Sequence, residues 1–368
     1  MANIFVVRFA ETLLNYSLSV REGDIFLVRT SPLATELLTE IYRLALQAGA
    51  FVSHELSFDG QSALYYGHAQ PEHLDWVAPW ELLQAQTVTT RLTINAPYNT
   101  REAAGADAAK LSRRARALGE LGRITRQRAA AGDLRWCSTL FPTHALAQEA
   151  GLSLREYEDF VYHAMFLTQE DPIAAWRAFS VQQQAIANRL EQVRTLRIVA
   201  RDTDLELSVA GRRWINSDGR RNFPSGEVFT SPVEDTARGH IRFSYPAVAN
   251  GRDVEDVHLW FEKGRVVRAE AGRGEEYLRA MLDTDPGARY LGEVAVGNNY
   301  NITRFTRNTL FDEKIGGTCH LALGASYPDT GGLNDSAIHW DMVCDLRQGG
   351  AIYADGELIH KDGRWLVP

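Results

Sequence analysis

In the run Ile338-His339-Trp340-Asp341-Met342-Val343, one imidazole and one carboxylate interrupt an apolar, β-like stretch. Residues two apart on a strand leave the same face, so His339 and Asp341 would point together at a common ligand. On a helix they would part to roughly opposite sides. Alone, the pair equally describes a buried histidine satisfied by its neighbour. His320 stands between the turn Gly316-Gly317 and the apolar run Leu321-Ala322-Leu323-Gly324. Alternation groups His320, Ala322 and Gly324 on one face, leaving room beside the imidazole for an ion or a substrate. Glu227 in Gly226-Glu227-Val228-Phe229 and Glu293 in Leu291-Gly292-Glu293-Val294 are lone acids in apolar runs. Such a carboxylate is costly when buried unpaired, and a cation would offset the cost. Tyr327, seven residues past His320, could return a phenol to the same region.

Together these residues supply three carboxylates and two imidazoles, an oxygen and nitrogen set that fits two divalent ions without a thiolate. A shared carboxylate would bridge ions about 3.5–4 Å apart. Two imidazoles and one carboxylate also suffice for a single iron, so His320, His339 and Asp341 by themselves leave the number of metals open. Cys319, adjacent to His320, would point to the opposite face and reads as a core thiol.

The elements that must hold these groups fall into two textures. Asp24 to Val28 is a short apolar run, and Leu33, Leu37, Leu38, Ile41, Leu44 and Ala45 follow at helical spacing up to Gly49. Phe51-Val52 then begins a second strand, and strand–helix–strand within about 30 residues favours a parallel sheet. Leu92 to Ile94 and Leu134 to Leu140 are further strands. Asp107 to Ala131 reads as one long exposed helix, followed by helices over Leu154 to Leu167 and Asp171 to Arg194. Ser153 and Glu156 stand in capping-box spacing. After about residue 195, short alternating segments dominate: Leu196 to Val199, Asp204 to Val209, Ile241 to Tyr245, Val257 to Phe261 and Val266 to Ala269. A hairpin is expected across Glu262-Lys263-Gly264. The reading is an N-terminal α/β domain with a parallel sheet over residues 1–195, and a β-rich, α+β metal-binding domain over 196–368.

The turn after the first strand, Thr30-Ser31-Pro32, offers neither G-x-G-x-x-G nor G-K-[ST], so a nucleotide role is unsupported. A formal charge of −8 over 368 residues argues against a nucleic-acid partner. No run approaches the ~20 apolar residues that span a bilayer, so no membrane association is expected. The start lacks a basic n-region, and three cysteines form no disulfide framework, so a cytoplasmic protein is expected. His54, His68, His73 and His144 lack ligand spacing and read as surface residues. The Arg113, Arg114 and Arg116 cluster reads as a solvated or dimer-facing surface.

Gly226-Glu227-Val228-Phe229-Thr230-Ser231-Pro232, Leu291-Gly292-Glu293, Asp312 through Gly324 and His339-Trp340-Asp341, in that order, resemble the thermophilic-aminopeptidase family of metallopeptidases, peptidase family M29. The likeness extends to Pro142-Thr143 and to Ser153 through Tyr162. It implies a leucyl-aminopeptidase-type hydrolase, a homodimer with a large internal cavity, and removal of N-terminal amino acids from a peptide substrate. It also implies two divalent ions (Zn, Co, Mn or Mg) on Glu227, Glu293, His320, His339 and Asp341. Tyr327 would donate to the oxyanion, and Glu293 would accept the proton of the attacking water. One departure concerns the loop from Pro328 to Asp335, where the chain is short for the family. The competing expectation is a mononuclear, iron-dependent, ring-cleaving dioxygenase acting on a dihydroxypyridine, which has no need of both Glu227 and Glu293. A silent binding scaffold would have lost ligands that are all retained here.

Overall fold

The computed structural model describes residues 3–249 and 251–366. Its contacts divide the chain into two compact units, Met1–Ile173 with Arg220–Phe223, and Ala174–Gly219 with Pro224–Pro368.

In the first unit, strands Ile25–Thr30 (β1), Phe51–Leu56 (β2), Thr90–Asn95 (β3) and Arg135–Leu140 (β4) form a sheet in the order β2-β1-β3-β4, closed by Asn222–Phe223. Every pairing is parallel, as the βαβ spacing predicts. Helix Ile4–Thr12 (α1), at the start of this unit, buries Val6, Phe9 and Ala10. Thr35–Gln47 (α2) buries Leu37, Ile41 and Ala45 at four-residue steps, while Leu33 stays exposed. Pro79–Thr87 (α3) carries Pro in its first turn and a Glu81 carboxylate on the Ala78 N–H (2.9 Å). The expected single helix over 107–131 is two helices, Ala108–Ala117 and Gly119–Ala131 (α4), with Leu118 at their junction. Neither helix fully buries a residue, so their packing is too shallow to hold them as one rod.

Helix Pro172–Leu190 (α5) opens the second unit. The change of texture near residue 195 therefore lies inside this unit, because Ala187 and Leu190 of α5 join its core. A nine-stranded antiparallel sheet includes Thr195–Ala200, Thr203–Ser208, Arg238–Arg242, Arg252–Glu262 and Arg265–Arg273. The hairpin at Lys263-Gly264 turns with both residues at positive φ, 46° and 77°. The paired Glu262 and Arg265 thus enclose a two-residue turn whose twist matches the strands.

A second sheet carries the chemistry. Its strands are Ile215–Ser217 (β5), Glu227–Thr230 (β6), Leu291–Gly297 (β7), Thr318–Gly324 (β8) and His339–Asp345 (β9), antiparallel in the order β9-β8-β7-β6-β5. One face is apolar: Val228, Val294, Val296, Cys319, Leu321, Leu323, Trp340, Met342 and Cys344 all enter the core. Strict alternation then sends Glu227, Glu293, His320, His339 and Asp341 to the other face. Among the described residues, no helix is long and apolar enough to cross a membrane.

Candidate metal centre

Four neighbouring strands set the spacing of the polar groups. Asp341 on β9 pairs with Ala322 on β8, which pairs with Glu293 on β7. His320 pairs with Ala295, and Gly297 with Glu227. The intervening residues on this face are Ala295, Ala322, Gly297 and Gly324, so small side chains leave the space that the polar tips fill.

A register shift between Leu291 and Glu293 makes this possible. Leu291 belongs to the core, and two residues on, without the shift, Glu293 would follow it there. The extra residue is Gly292, where a Cβ would lie 2.2 Å from the Ala325 carbonyl oxygen and 2.4 Å from that of Gly324. Only glycine allows that approach.

The imidazoles are fixed from behind. His339 Nδ1–H donates to the Ala325 carbonyl (2.8 Å) and His320 Nδ1–H to the Glu313 carbonyl (2.9 Å). Since a carbonyl only accepts, each ring turns Nε2 toward the acids as the ligand atom. His320 Nε2 lies 3.4 Å from Glu293 Oε1 and 3.7 Å from Glu227 Oε2. His339 Nε2 lies 3.2 Å from Glu293 Oε2 and 3.5 Å from Asp341 Oδ1. Glu293 thus presents one oxygen to each imidazole.

Two groups of ligand atoms result, each with its members within 4.8 Å of one another: Glu227, Glu313 and His320, and Glu293, His339 and Asp341. Every sequence-expected ligand is in one of them. Glu313 was absent from the expected set, although Asp312-Glu313-Lys314 is a charged triplet directly before the strand. Lys314 is wholly buried, 3.4 Å from Glu227 Oε1 and in contact with Glu313 Oε1. Asp312 accepts from the Thr306 N–H (2.6 Å) and hydroxyl (3.0 Å), pinning the loop that delivers Glu313.

The electrostatics are those of a site short of positive charge. Burial, with help from Glu293 and Asp341, raises the Glu227 carboxyl despite Lys314 and His320. Burial also pushes Glu313 up to about 8. It would lower both imidazoles, yet the surrounding carboxylates bring His320 up to about 9 and His339 up to about 11. Glu227 Oε2 and Asp341 Oδ1 are buried without a hydrogen-bond donor. Buried carboxylate oxygens in that condition are expensive, and cations satisfy them. The donor set and its two orphaned oxygens therefore fit divalent metal ions.

Tyr327 reaches the rim. Its ring lies edge-on to His339, centroids 5.0 Å apart, and 5.3 Å from Phe229. Burial and then Glu293, Asp341, Glu313 and Glu227 drive its phenol well above the usual range, so it stays protonated. The loop from Pro328 to Asp335 is tied down on both sides of Leu333. Thr330 Oγ1 bonds Ser231 Oγ (2.7 Å), and Asn334 Nδ2 bonds the carbonyls of Gly287 (2.9 Å) and Gly324 (2.6 Å).

The sequence profile of the family described as thermophilic metalloprotease (M29) matches residues 5–365. The chain belongs to this family. Among similar proteins, "Aminopeptidase 2" of Geobacillus stearothermophilus is 29% identical across 97% of each chain. "Aminopeptidase T" of Thermus thermophilus is 32% identical across 63% of each. The solved structure titled wild-type AmpT from Thermus thermophilus superposes with a TM-score of 0.87 over 99% of both chains at 24% identity, a likeness of fold. The M29 chain is accordingly a metal-dependent hydrolase by family, with the expected α/β and β-rich architecture.

The remaining candidates are accounted for. Cys319 faces Cys344 across the β8–β9 pair, buried and with its thiol raised by Cys344 and by burial, which makes it a core residue. His54, His68, His73 and His144 are exposed. Arg113 pairs with Asp75 (2.6 Å) on the surface.

Proposed function

We propose that this M29 member is an aminopeptidase that releases N-terminal amino acids from peptides using a cocatalytic pair of divalent ions. The ions would be Zn, Co, Mn or Mg, held by Glu227, Glu293, His320, His339 and Asp341, with Glu313 beside them. The observation carrying this reading is the pair of back-bonded imidazoles whose Nε2 atoms face carboxylate oxygens, two of them otherwise unsatisfied. The relatives named as aminopeptidases support the substrate class.

When bound, such ions acidify a water and polarise the peptide carbonyl. Glu293, with one oxygen beside each imidazole, would help to hold both ions. The sequence reading gave Glu293 the proton-accepting role as well. Glu313, which burial raises above the usual carboxylate range in the absence of metal, divides that labour better: with cations beside it, it would take the water proton and return it to the leaving amine. The protonated Tyr327 phenol would donate to the carbonyl oxygen as it gains charge. Lys314 holds Glu227 and Glu313 in place and offsets part of their charge.

Glu227, Glu313 and His320 form a group that a mononuclear iron site does not need, so the geometry gives the dioxygenase alternative no support. The same reading includes a homodimer acting in the cytoplasm. Its test is a matched pair of substrates, Leu-p-nitroanilide and its N-acetyl derivative. Hydrolysis of the free amine alone is expected. Equal cleavage of both, or of neither by the metal-loaded chain, would reject the aminopeptidase assignment.

A further inference from the structure

The first unit contains a cation that its own fold leaves unanswered. Leu27 and Arg29 of β1 and Arg91 of β3 leave the same face of the parallel sheet, with Leu27 and Arg91 paired in register. Helices α3 and α4 cover that face and enclose with it a cavity of about 370 Å³. The nearby acids are committed elsewhere. Glu55 bonds Arg29 through Oε2 (2.6 Å) and Gln84 through Oε1 (2.6 Å). Glu81 accepts from the Ala78 N–H and faces Arg114 at 3.8 Å. Arg91, half-buried in the cavity wall, has no hydrogen-bond or ion-pair partner among the described residues. Burial and the neighbouring Arg29 both disfavour its charge.

A desolvated guanidinium beside a second one costs stability unless an anion answers it. The rest of the wall sets polar Glu81, Gln84 and Thr125 beside an apolar floor of Leu27, Val88 and Leu134, which form a small buried cluster of their own. Its volume is at the lower end for small-molecule sites. We propose that this cavity binds a small organic monocarboxylate with a short apolar tail. The carboxylate would sit bidentate on Arg91, whose planar fork matches it. The tail would lie against Leu27, Val88 and Leu134. The site belongs wholly to the first unit and is separate from the metal centre.

The test is calorimetry and thermal melting of the full, metal-loaded chain with hexanoate as probe. Hexylammonium and inorganic phosphate serve as controls. One hexanoate per chain should bind and raise Tm, hexylammonium should do neither, and phosphate should bind at least about tenfold more weakly. Arg91→Met should weaken hexanoate about tenfold or more while its unliganded Tm equals or exceeds that of the parent. Thr125→Trp, which fills the cavity and keeps Arg91, should also abolish binding if the first variant misfolds. The proposal is overturned by absence of hexanoate binding at tens of millimolar, by phosphate binding as well as hexanoate, or by full affinity in Arg91→Met. It is equally overturned if binding disappears in Glu293→Gln and survives in Arg91→Met, since the metal centre would then be the site.

Discussion

Tyr327 illustrates how much one side chain at the rim is asked to do. Its phenol is held protonated by partial desolvation and by four nearby carboxylates, and its ring packs edge-on to His339. A donor aimed at developing negative charge accelerates the chemical step more than it aids binding. Tyr327→Phe should therefore lower kcat roughly 10²–10³-fold with little change in KM, and metal content should stay at the parent level. Steady-state kinetics with metal analysis checks both halves. Glu313→Gln should likewise depress kcat, by roughly 10²–10⁴-fold, and flatten the acidic limb of the pH–rate profile. That Glu227, Glu293, His320, His339 and Asp341 converge was legible in the sequence, from strand alternation around the two imidazoles and Asp341 and from the lone acids set in apolar runs. Glu313 was not, because it precedes β8 in a charged triplet that reads as a solvated turn. It reaches the cluster only through the short helix Thr309–Asp312 and the bond from His320 Nδ1 to its carbonyl.

At the scale of elements, the bulge at Gly292 decides whether β7 can serve core and site together. Leu291 packs inward, Glu293 points to the two imidazoles, and only an extra residue reconciles them. The same close approach sets the Ala325 carbonyl that holds His339 Nδ1. Gly292→Ala forces a methyl to 2.2 Å from that oxygen, so the strand must shift. The expected result is a folded chain with weakened metal binding and lost activity, read by circular dichroism beside metal titration. Unchanged affinity would mean that β8 and β9 position His339 unaided. The parallel sheet and the β-hairpins were visible in hydrophobic periodicity and turn chemistry. The division of the 107–131 helix and helix α1 were not: the first breaks at half-buried Leu118, where neither helix fully buries a side chain, and the second lies in a segment weighed only as a possible leader.

Across the whole molecule, the acidic cluster links metal, protons and stability. Without metal, His320 titrates near 9 and His339 near 11, both above the imidazole value of 6.5. Groups raised in the folded state stabilise it fully below their unfolded pKa, and that contribution fades as pH climbs through the folded values. The metal-free chain should thus lose Tm between about pH 6.5 and pH 11, while the metal-loaded chain, whose imidazoles bind cations instead of protons, should lose less. For the same reason metal affinity should rise with pH and binding should release protons, measurable by calorimetry in buffers of different ionisation enthalpy. A Tm gap between the two forms that narrows with rising pH would refute this linkage.

The central claim is a pair of metals serving peptide hydrolysis, and stepwise reloading of metal-free protein tests it most directly. Zinc, cobalt or manganese is added while bound metal and Leu-p-nitroanilide hydrolysis are followed together. Two ions per chain should bind, with full activity only as the second site fills, and Glu227→Gln should bind one fewer and remain inactive. A single bound iron per chain, with oxygen-dependent ring cleavage of a dihydroxypyridine and no amide hydrolysis, would contradict it.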